Sequence, residues 1–298
     1  MSNSEYITNR LSLLRKKDIY NSETLFAAAF GSRNYGIQSE TSDLDIKIVY
    51  IPSIDSLIKS EEKSHIRKIS NNTEDEAEII SLPYYIELVK QFDISKLEVL
   101  FAPSYIWVNP KHKKLFHEIQ KIVLELILTQ KRKFVYSIID VMSKINNRFV
   151  NNNSGLEIYN CRKAYNIPRL FHLLKHVLDD NRYQLEIDDE FKDSIKAWKL
   201  GITKKEEVKK ACSNIILETK SLEDNFSNSN PHVLHECLDS IVRKQILAPH
   251  VNKVFDEQQD VMKCNNLKIR CLLCKFKIIW FLFIVFYILI VMNVLFSH

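Results

Sequence analysis

Glycine and proline are scarce in this sequence, which has only four glycines and seven prolines among its 298 residues. A sandwich of many short strands needs frequent turns, and turns draw heavily on these two residues. The scarcity therefore argues against such a sandwich and favours a helix-rich body. The length is sufficient for two domains and a tail, with ample chain to bury a core.

Acidic residues are absent from residues 263–298, although this region contains five basic residues. Without those five, the 42 Lys and Arg residues fall to 37, which equals the 37 Asp and Glu residues. The rest of the chain is therefore neutral on balance. Composition gives no strong indication of general nucleic-acid binding.

The sequence shows no N-terminal signal peptide, and its six cysteines are widely spread. This pattern is typical of reduced thiols in a cytosolic protein and not of a disulfide framework. Cys264, Cys271 and Cys274 lie close together, but three cysteines at this spacing make a poor zinc site without a fourth ligand. Beside a hydrophobic segment, S-palmitoylation is a better interpretation, and inert thiols are the simplest one.

One long hydrophobic run, residues 278–296, contains Asn293 as its only strongly polar side chain. As a helix it would be about 28 Å long, close to the roughly 30 Å hydrocarbon core of a bilayer. The five basic residues precede it, so we expect a single-pass C-terminal membrane anchor with the bulk of the protein in the cytoplasm. A shifted reading frame or a fusion is the alternative origin of this tail.

The most informative stretch is Phe30 to Tyr50. An apolar run from Leu25 to Phe30 predicts a strand that ends at Gly31-Ser32, and residues 43–50 alternate with period two as a second strand. Side chains two apart on a strand share a face, so Asp43 and Asp45 should project together. Two adjacent carboxylates repel unless they are protonated, paired or bridged by a cation. We interpret them as ligands of Mg²⁺ beside a triphosphate that contacts Gly31 and Ser32.

Further strands and helices are predicted downstream. Residues 59–76 form a charged passage, interpreted as a surface loop or hairpin, and residues 76–82 form a candidate third strand that carries Glu76 and Glu78. Pro83 suits the first turn of a helix over residues 84–92. After Pro110 the pattern is helical almost throughout, and the predicted helices cover residues 113–150, 157–179, 190–200, 204–221 and 231–255.

These segments resemble the predicted nucleotidyltransferases of the DNA polymerase beta superfamily, whose pattern is Gly-Ser, a short helix, and Ser-Asp-x-Asp on a strand. The resemblance is closest to a bacterial and viral group with Ala/Asn-Tyr-Gly after the Gly-Ser, matched here by Asn34, Tyr35 and Gly36. Softer matches extend it over about residues 24–210. They are the strand at 76–82 (Asp-Val-Glu-x-Tyr-Ser-Leu in the group), 97–103 (Leu-Glu-x-Leu-Phe-x-Pro), 163–170 (Lys-x-Ala-Tyr-His-x-x-Arg) and 195–208.

The resemblance implies an α+β fold with a small mixed β-sheet nucleotidyltransferase core flanked by helices, followed by a helical domain and the C-terminal transmembrane helix. The predicted division places the catalytic domain at residues 1–110 and the helical domain at 111–262. A basic juxtamembrane linker at 263–277 and the anchor at 278–296 complete the chain.

The implied reaction is two-metal nucleotidyl transfer, with two Mg²⁺ ions, or Mn²⁺ in their place, bound by Asp43 and Asp45. A third carboxylate comes from the neighbouring strand. We favour Glu78, which matches a family carboxylate unchanged, over Glu76, which replaces the family's Asp. Glu98 is a further candidate, and a partner for a buried Arg or Lys is the equally good interpretation of it.

Several basic residues are candidates for binding the triphosphate. Arg33 follows the Gly-Ser pair, and a solvated arginine is its alternative interpretation. Lys163 and Arg169 belong to a basic stripe that could neutralise phosphate from the helical domain, although a solvated charged face fits as well. The stripe comprises Arg162, Lys163, Arg169, His172, Lys175 and His176.

We therefore expect a Mg²⁺-dependent enzyme that moves a nucleoside monophosphate from an NTP to an acceptor hydroxyl and releases pyrophosphate. The acceptor is left open among RNA, a protein and a small molecule. The alternative is a catalytically degenerate, membrane-tethered nucleotide-binding or interaction protein on the same fold. It rests on two departures from the family pattern, Glu76 for Asp and Asn166 for His.

Overall fold

The computed structural model describes most of the chain up to residue 247. The described residues are 7–8, 23–38, 45–53, 64–68, 76–103, 106–150, 161–227, 229–247, 285 and 288. Met1–Ile246 form one compact unit and Leu247–His298 a second. The first unit contains the sheet, the helical region and the candidate site. The predicted division at residues 110 and 262 stays a prediction.

The first half of the described chain contains a five-stranded mixed sheet. Its strands are β1 (Glu23–Ala29), β2 (Ile46–Ile51), β3 (Ser64–Lys68), β4 (Glu76–Ser81) and β5 (Ile106–Val108), in the spatial order β3-β4-β2-β1-β5. The β1 strand pairs antiparallel with β2 and β5, β2 pairs parallel with β4, and β3 pairs antiparallel with β4. This confirms the α+β class with a small mixed sheet.

The strand predicted third along the chain is therefore β4. The charged passage at residues 59–76 contains β3, which pairs with β4 from Ser64 opposite Ile80 to Lys68 opposite Glu76. The hairpin interpretation of this passage agrees with that antiparallel pairing. The polar sequence of β3 gives little indication of a strand by itself. The strand forms by pairing with the more apolar β4.

Each face of the sheet is covered differently. Phe26, Val49 and Ile80 belong to the large core shared with the helices. Ile46, Ile48 and Ile79 belong to a smaller core on the opposite face. Because side chains alternate along a strand, Lys47 of β2 projects to the same face as Val49, which is the face covered by the helices, and Asp45 directly before β2 continues that alternation.

Nine helices have both ends in the described part of the chain, together with a short 3₁₀ turn at Pro110–His112, and residues 7, 8, 285 and 288 are also helical. The nine helices are α1 (Leu82–Lys90), α2 (Ile94–Leu100), α3 (Lys113–Thr129), α4 (Lys131–Val150), α5 (Cys161–Ala164), α6 (Asn166–Asp179), α7 (Asp189–Leu200), α8 (Lys205–Glu223) and α9 (232–247). The α1 helix has proline in its first turn, as predicted, and α7 ends at Gly201 in the left-handed conformation with φ 72°.

The single helix predicted over residues 113–150 is instead two helices that meet at Gln130. Gln130 leaves the helical conformation with φ −118° and ψ 40°. Its buried side-chain amide donates a hydrogen bond to the backbone carbonyl of Ser229, which lies 99 positions along the chain. A contact that distant in sequence has no local signal, so periodicity alone predicted one continuous helix.

Within the described residues we find no helix with both the length and the apolar character needed to cross a bilayer. The predicted basic linker, the anchor at 278–296 and the end of the predicted helix 231–255 lie outside the described residues, apart from positions 285 and 288. The membrane anchor thus has no support from the structure and stays a prediction.

A buried charged cluster connects the turn after β1 and helix α2 to helix α6. The Glu98 carboxylate of α2 accepts hydrogen bonds from the Tyr35 hydroxyl and from Arg169 Nη1 of α6, both at 2.6 Å. The Arg169 guanidinium carbon lies 3.9 Å from the centre of the Tyr35 ring. Burial opposes the charge on Arg169, but Glu98 together with Tyr35 and Tyr165 outweighs burial and raises the arginine pKa. Glu98 is therefore the partner of a buried arginine, which was one of its two sequence interpretations.

We expect this pair to contribute strongly to stability. Removing one member leaves the other charge buried, so Arg169→Met or Glu98→Gln should each lower the free energy of unfolding by about 3–5 kcal/mol. The double variant should lose clearly less than the sum of the two single losses. Urea denaturation of the full-length protein measures these losses.

Lys144→Met is the matched control, because the Lys144 ion pair with Asp140 is largely exposed, with side-chain exposures of 66% and 44%. Its loss should stay below about 1 kcal/mol. Additive losses at Glu98 and Arg169 would contradict a coupled pair.

Candidate active site

The Gly-Ser pair forms a tight turn directly after β1. Gly31 has φ 91°, which favours glycine, and a Cβ added there would meet nothing within 4 Å. The glycine is therefore required by backbone conformation and not by crowding. Asn34 fixes the turn from below, because its buried side-chain amide donates a 2.6 Å hydrogen bond to the Ala29 carbonyl. The backbone amide of Ile37 donates to the Ser32 carbonyl at 3.1 Å and closes the turn.

Asp45 lies where three elements of the sheet meet. Its backbone carbonyl accepts a 3.0 Å hydrogen bond from the Phe30 amide, at the start of the Gly-Ser turn. Its side-chain Oδ1 accepts a 3.1 Å hydrogen bond from the Glu76 amide at the start of β4. The structure therefore brings Asp45, the Gly-Ser turn and Glu76 together, as the sequence analysis expected. Asp43 lies outside the described residues, so its pairing with Asp45 stays a prediction.

Glu78 lies one step further along β4, and two lysines neutralise it. Lys96 Nζ is 2.7 and 2.8 Å from the two carboxylate oxygens, and Lys47 Nζ is 3.2 Å from Oε2. Burial alone would raise the Glu78 pKa, but the two ammonium groups outweigh burial, and the net pKa is lowered. A metal ion bound by Glu78 would have to displace or repel two positive charges.

Glu76 differs from Glu78 in this respect. Parallel pairing aligns Lys47 with Glu78 and Ile46 with Ala77. Glu76 therefore falls beside Asp45, where β2 and β4 both begin. Among the described residues, the Glu76 carboxylate has no hydrogen bond or ion pair. The geometry therefore favours Glu76 over Glu78 as the carboxylate next to Asp45.

A cleft of about 1260 Å³ opens in front of Asp45. One wall carries Gly31 and Ser32, and the facing wall comes from the helices. Arg33 is not among the residues that line the cleft. The α1 and α2 helices and the turn between them contribute Leu88, Gln91, Phe92, Asp93, Ile94, Ser95 and Glu98 to the lining. The later helices contribute Tyr136, Ser137, Asp140, Val141 and Lys144 of α4, Lys163, Tyr165, Asn166 and Arg169 around α5 and α6, and Lys199 and Leu200 at the end of α7.

The predicted phosphate-binding residues of the helical half divide into two groups. Lys163 is exposed at the cleft, whereas the side chain of Arg169 is only 7% exposed and is held by Glu98. Asn166, which replaces the family's His, accepts a 3.2 Å hydrogen bond from Arg169 Nε. Arg169 and Asn166 thus border the cleft, and both are part of the buried network.

His172 and His176 of the basic stripe do not line the cleft and contact Asp188 instead. Burial lowers the His172 pKa, with Asp188 opposing the shift. Lys175 lies with its Nζ 4.6 Å from the centre of the Phe171 ring. The side chain of Arg162 lies outside the described part of the chain. The stripe therefore does not present one continuous surface to the cleft.

Sequence analysis missed the lysines that organise this site. Lys47 could have been recognised, because it follows Asp45 with the same period of two and must share its face. Lys96 and Lys199 gave no local signal. Lys199 lies at the end of α7, where its Nζ donates a 3.0 Å hydrogen bond to the Ile37 carbonyl just after the Gly-Ser turn.

This fold and site indicate a polymerase beta-like nucleotidyltransferase as the class of protein. Residues 4–152, half of the chain, match the family described as RlaP, the RNA repair pathway DNA polymerase beta family. The chain belongs to that family, which confirms the resemblance seen in the sequence.

A curated relative is the uncharacterized 38.9 kDa protein in the nrdC-mobD intergenic region of Enterobacteria phage T4. It is 28% identical over 94 residues, which are 29% of this chain and 28% of that protein. The chain therefore spans less than a third of the length of this relative.

The Lys47 environment predicts a specific dependence of stability on pH. Burial and the nearby Lys96 lower the Lys47 pKa from 10.5 to about 8, although Glu78 opposes the shift. Between these two values the unfolded chain holds a proton that the native state has lost. This group's contribution to stability should therefore rise with pH from about 8 to about 10.5.

Urea denaturation of wild-type protein and Lys47→Met across this interval measures the effect. The wild type should gain stability relative to the variant as the pH rises. Lys90→Met is the matched control, because the partners Glu87 and Asp239 raise the pKa of Lys90. That raised pKa reverses the sign, so the Lys90 contribution is fully present below 10.5 and is lost as the pH rises from there through the folded pKa. Parallel profiles for wild type and Lys47→Met would contradict the prediction.

Proposed function

We propose that this protein is a Mg²⁺-dependent nucleotidyltransferase that transfers a nucleoside monophosphate from an NTP to an acceptor hydroxyl and releases pyrophosphate. The observation that carries the proposal is the position of Asp45, which borders a large cleft between the Gly-Ser turn and a lysine-bearing helical wall. Membership of a polymerase beta-like family supports the same reaction class.

The donor atoms at the end of the sheet fit magnesium. Asp45 and Glu76 supply carboxylate oxygens, which Mg²⁺ prefers as ligands, and Asp43 is expected to supply more. Bound there, two Mg²⁺ ions would neutralise phosphate charge and acidify the attacking hydroxyl. Glu76 takes the role of third carboxylate in this proposal, because Glu78 is already neutralised by two lysines.

The remaining residues of the cleft bind and orient the nucleotide. The turn at Gly31 and Ser32 allows close approach of a phosphate to the backbone, and Lys163 supplies positive charge from the opposite wall. Lys199 holds the chain just after the turn through its bond to the Ile37 carbonyl. Arg169 acts on the nucleotide through Tyr35 and Glu98, whose positions it fixes.

An RNA end is the acceptor that we propose to test first. The description of the family refers to RNA repair. The helical wall adds Tyr136, which is 60% exposed and can stack on a base, and Lys144, which can contact a backbone phosphate. A protein or small-molecule hydroxyl remains a separate arm of the experiment.

One observation supports a second candidate function, a catalytically degenerate nucleotide-binding protein, whose membrane tether stays a prediction from the sequence. Lys47 and Lys96 neutralise Glu78, one of the two acids at the proposed third position. Isothermal titration calorimetry with each NTP distinguishes the two functions when combined with a pyrophosphate assay. Binding without pyrophosphate release supports the degenerate protein, and Mg²⁺-dependent release excludes it.

Substitution of the carboxylates tests the active enzyme. Loss of a metal ligand removes several kcal/mol of transition-state stabilisation, so Asp45→Asn and Glu76→Gln should each reduce transfer roughly 100-fold or more. Glu78→Gln should retain more activity than Glu76→Gln and mainly lower stability. The measurement uses full-length protein, each labelled NTP, Mg²⁺, and RNA, protein and small-molecule acceptors.

Glu206→Gln is the matched control, since this carboxylate is exposed in the first turn of α8 and away from the cleft. It should leave transfer unchanged. Equal labelling by wild type and Asp45→Asn would overturn the proposal. A greater loss in Glu78→Gln than in Glu76→Gln would reverse the assignment of the third carboxylate.

A further inference from the structure

A second cluster of potential metal ligands lies outside the cleft, between α6 and the start of α7. His172 and His176 are four residues apart on α6, and Asp188 directly precedes α7. One ligand atom from each of the three side chains lies within 4.8 Å of the other two. Neither histidine is part of the proposed transfer chemistry.

The geometry points to a zinc-class transition-metal site formed by His172, His176 and Asp188. The Nε2 atoms of His172 and His176 lie 3.1 and 3.2 Å from the same Asp188 oxygen, Oδ2. Ligands of tetrahedral zinc, with bonds of about 2.0–2.1 Å, are about 3.3 Å apart. The observed separations are close to that value. Two imidazoles and a carboxylate also match zinc better than magnesium, which prefers oxygen ligands alone.

The contacts of His176 supply an independent argument. Its Nδ1 lies 2.8 Å from an oxygen of Asp180 while its Nε2 faces Asp188. A neutral imidazole has one N–H, so it can donate to only one of these two carboxylates. In the form that donates Nδ1–H to Asp180 and keeps Nε2 unprotonated, the Nε2 lone pair faces Asp188, which is the orientation that a metal ligand requires. A carboxylate that orients a histidine through its second nitrogen is the usual support of a metal ligand.

Asp188 is also placed unusually for its position in the chain. It is the N-cap residue of α7, where aspartate commonly accepts a hydrogen bond from the helix backbone, yet its side chain makes no cap hydrogen bond. Its Oδ2 faces the two histidines, and its Oδ1 accepts a 3.0 Å hydrogen bond from Gln184. The carboxylate is 43% exposed, so a water molecule can complete a fourth coordination position.

The backbone amide of Asp188 also lies 3.4 Å from His172 Nε2. This is a long contact that a metal ion would replace. The bound ion would join α6 to the segment that ends at Asp188. That segment contacts the Gly-Ser turn, because the Ile187 amide donates a 3.3 Å hydrogen bond to the Tyr35 carbonyl. A structural metal would therefore stabilise one side of the nucleotide site, and its existence does not depend on the proposed transfer reaction.

Binding of Zn²⁺ and Co²⁺ to the full-length protein tests the site. We expect one Zn²⁺ per chain that persists in excess Mg²⁺, and visible Co²⁺ absorption without the near-ultraviolet band of a cobalt thiolate. His176→Gln and Asp188→Asn should abolish this binding. Asp180→Asn should weaken it about 10- to 100-fold, because Asp180 only orients His176.

Two controls separate this site from other ligands of the chain. His232→Ala removes a histidine whose contact with Glu236, four residues on, is exposed and 3.6 Å long, and it should leave binding unchanged. Substitution of Cys264, Cys271 and Cys274 by serine should also leave it unchanged. A cobalt thiolate band, or zinc retained by both His176→Gln and Asp188→Asn, would overturn the proposal.

Hydrogen exchange supplies a readout that is independent of activity. Zn²⁺ should slow exchange of the Ile187 amide in wild type and not in Asp188→Asn, because the ion stabilises the native arrangement of this segment. Absence of zinc binding by the wild type would overturn the proposal directly, even if a variant failed to fold.

Discussion

The buried contact between Glu98 and Arg169 is the interaction on which the arrangement of this protein depends. It joins α2 to α6, and through the Tyr35 hydroxyl it includes the turn that follows β1. Buried charges carry a large desolvation cost, so such a pair is favourable only with good geometry and additional hydrogen bonds. Asn166 and the Tyr35 ring supply these further contacts to the guanidinium. The two walls of the cleft are therefore held in register by charge as well as by apolar packing.

On the helix-facing side of the sheet, two acidic residues, Asp45 and Glu76, lie two positions before an ion pair, Lys47 with Glu78. Asp45 lines the cleft and accepts a hydrogen bond from the Glu76 amide at the start of the strands, whereas Lys47 and Glu78 lie one step further along. Lys47 is only 4% exposed, so an acid beside it has to be neutralised within the protein. At Asp45 and Glu76, solvent or a bound cation can neutralise the acids instead. Neutralisation by Lys47 and Lys96, and not the identity of the acids, separates the ion-paired Glu78 from Glu76 as a candidate metal ligand.

Local patterns in the sequence predicted the parts of this fold that local forces decide. Period-two alternation identified the strands around Asp45 and Glu76, and Pro83 marked the start of α1. The break at Gln130 and the pairing of Lys96 with Glu78 depend on partners 99 and 18 positions away, respectively. Local propensity and residue spacing cannot predict partners at such distances along the chain. The preference for Glu78 as third carboxylate relied on its match to a carboxylate of the family pattern. That match gives no information about Lys96, which contacts Glu78 from helix α2.

The basic stripe on α6 illustrates the same limit in electrostatic terms. Spacing placed Arg169, His172 and His176 along one side of the helix, and they do lie there. Each faces a carboxylate from another element: Glu98 for Arg169, and Asp188 for both histidines. Arg169, His172 and His176 are thus already engaged by carboxylates, and the positive charge that lines the cleft comes chiefly from lysines, among them Lys163 of the same stripe. Binding of a phosphate in the cleft would therefore depend more on bound cations than the sequence suggested. The carboxylates at the start of β2 and β4 are thus the decisive part of the site.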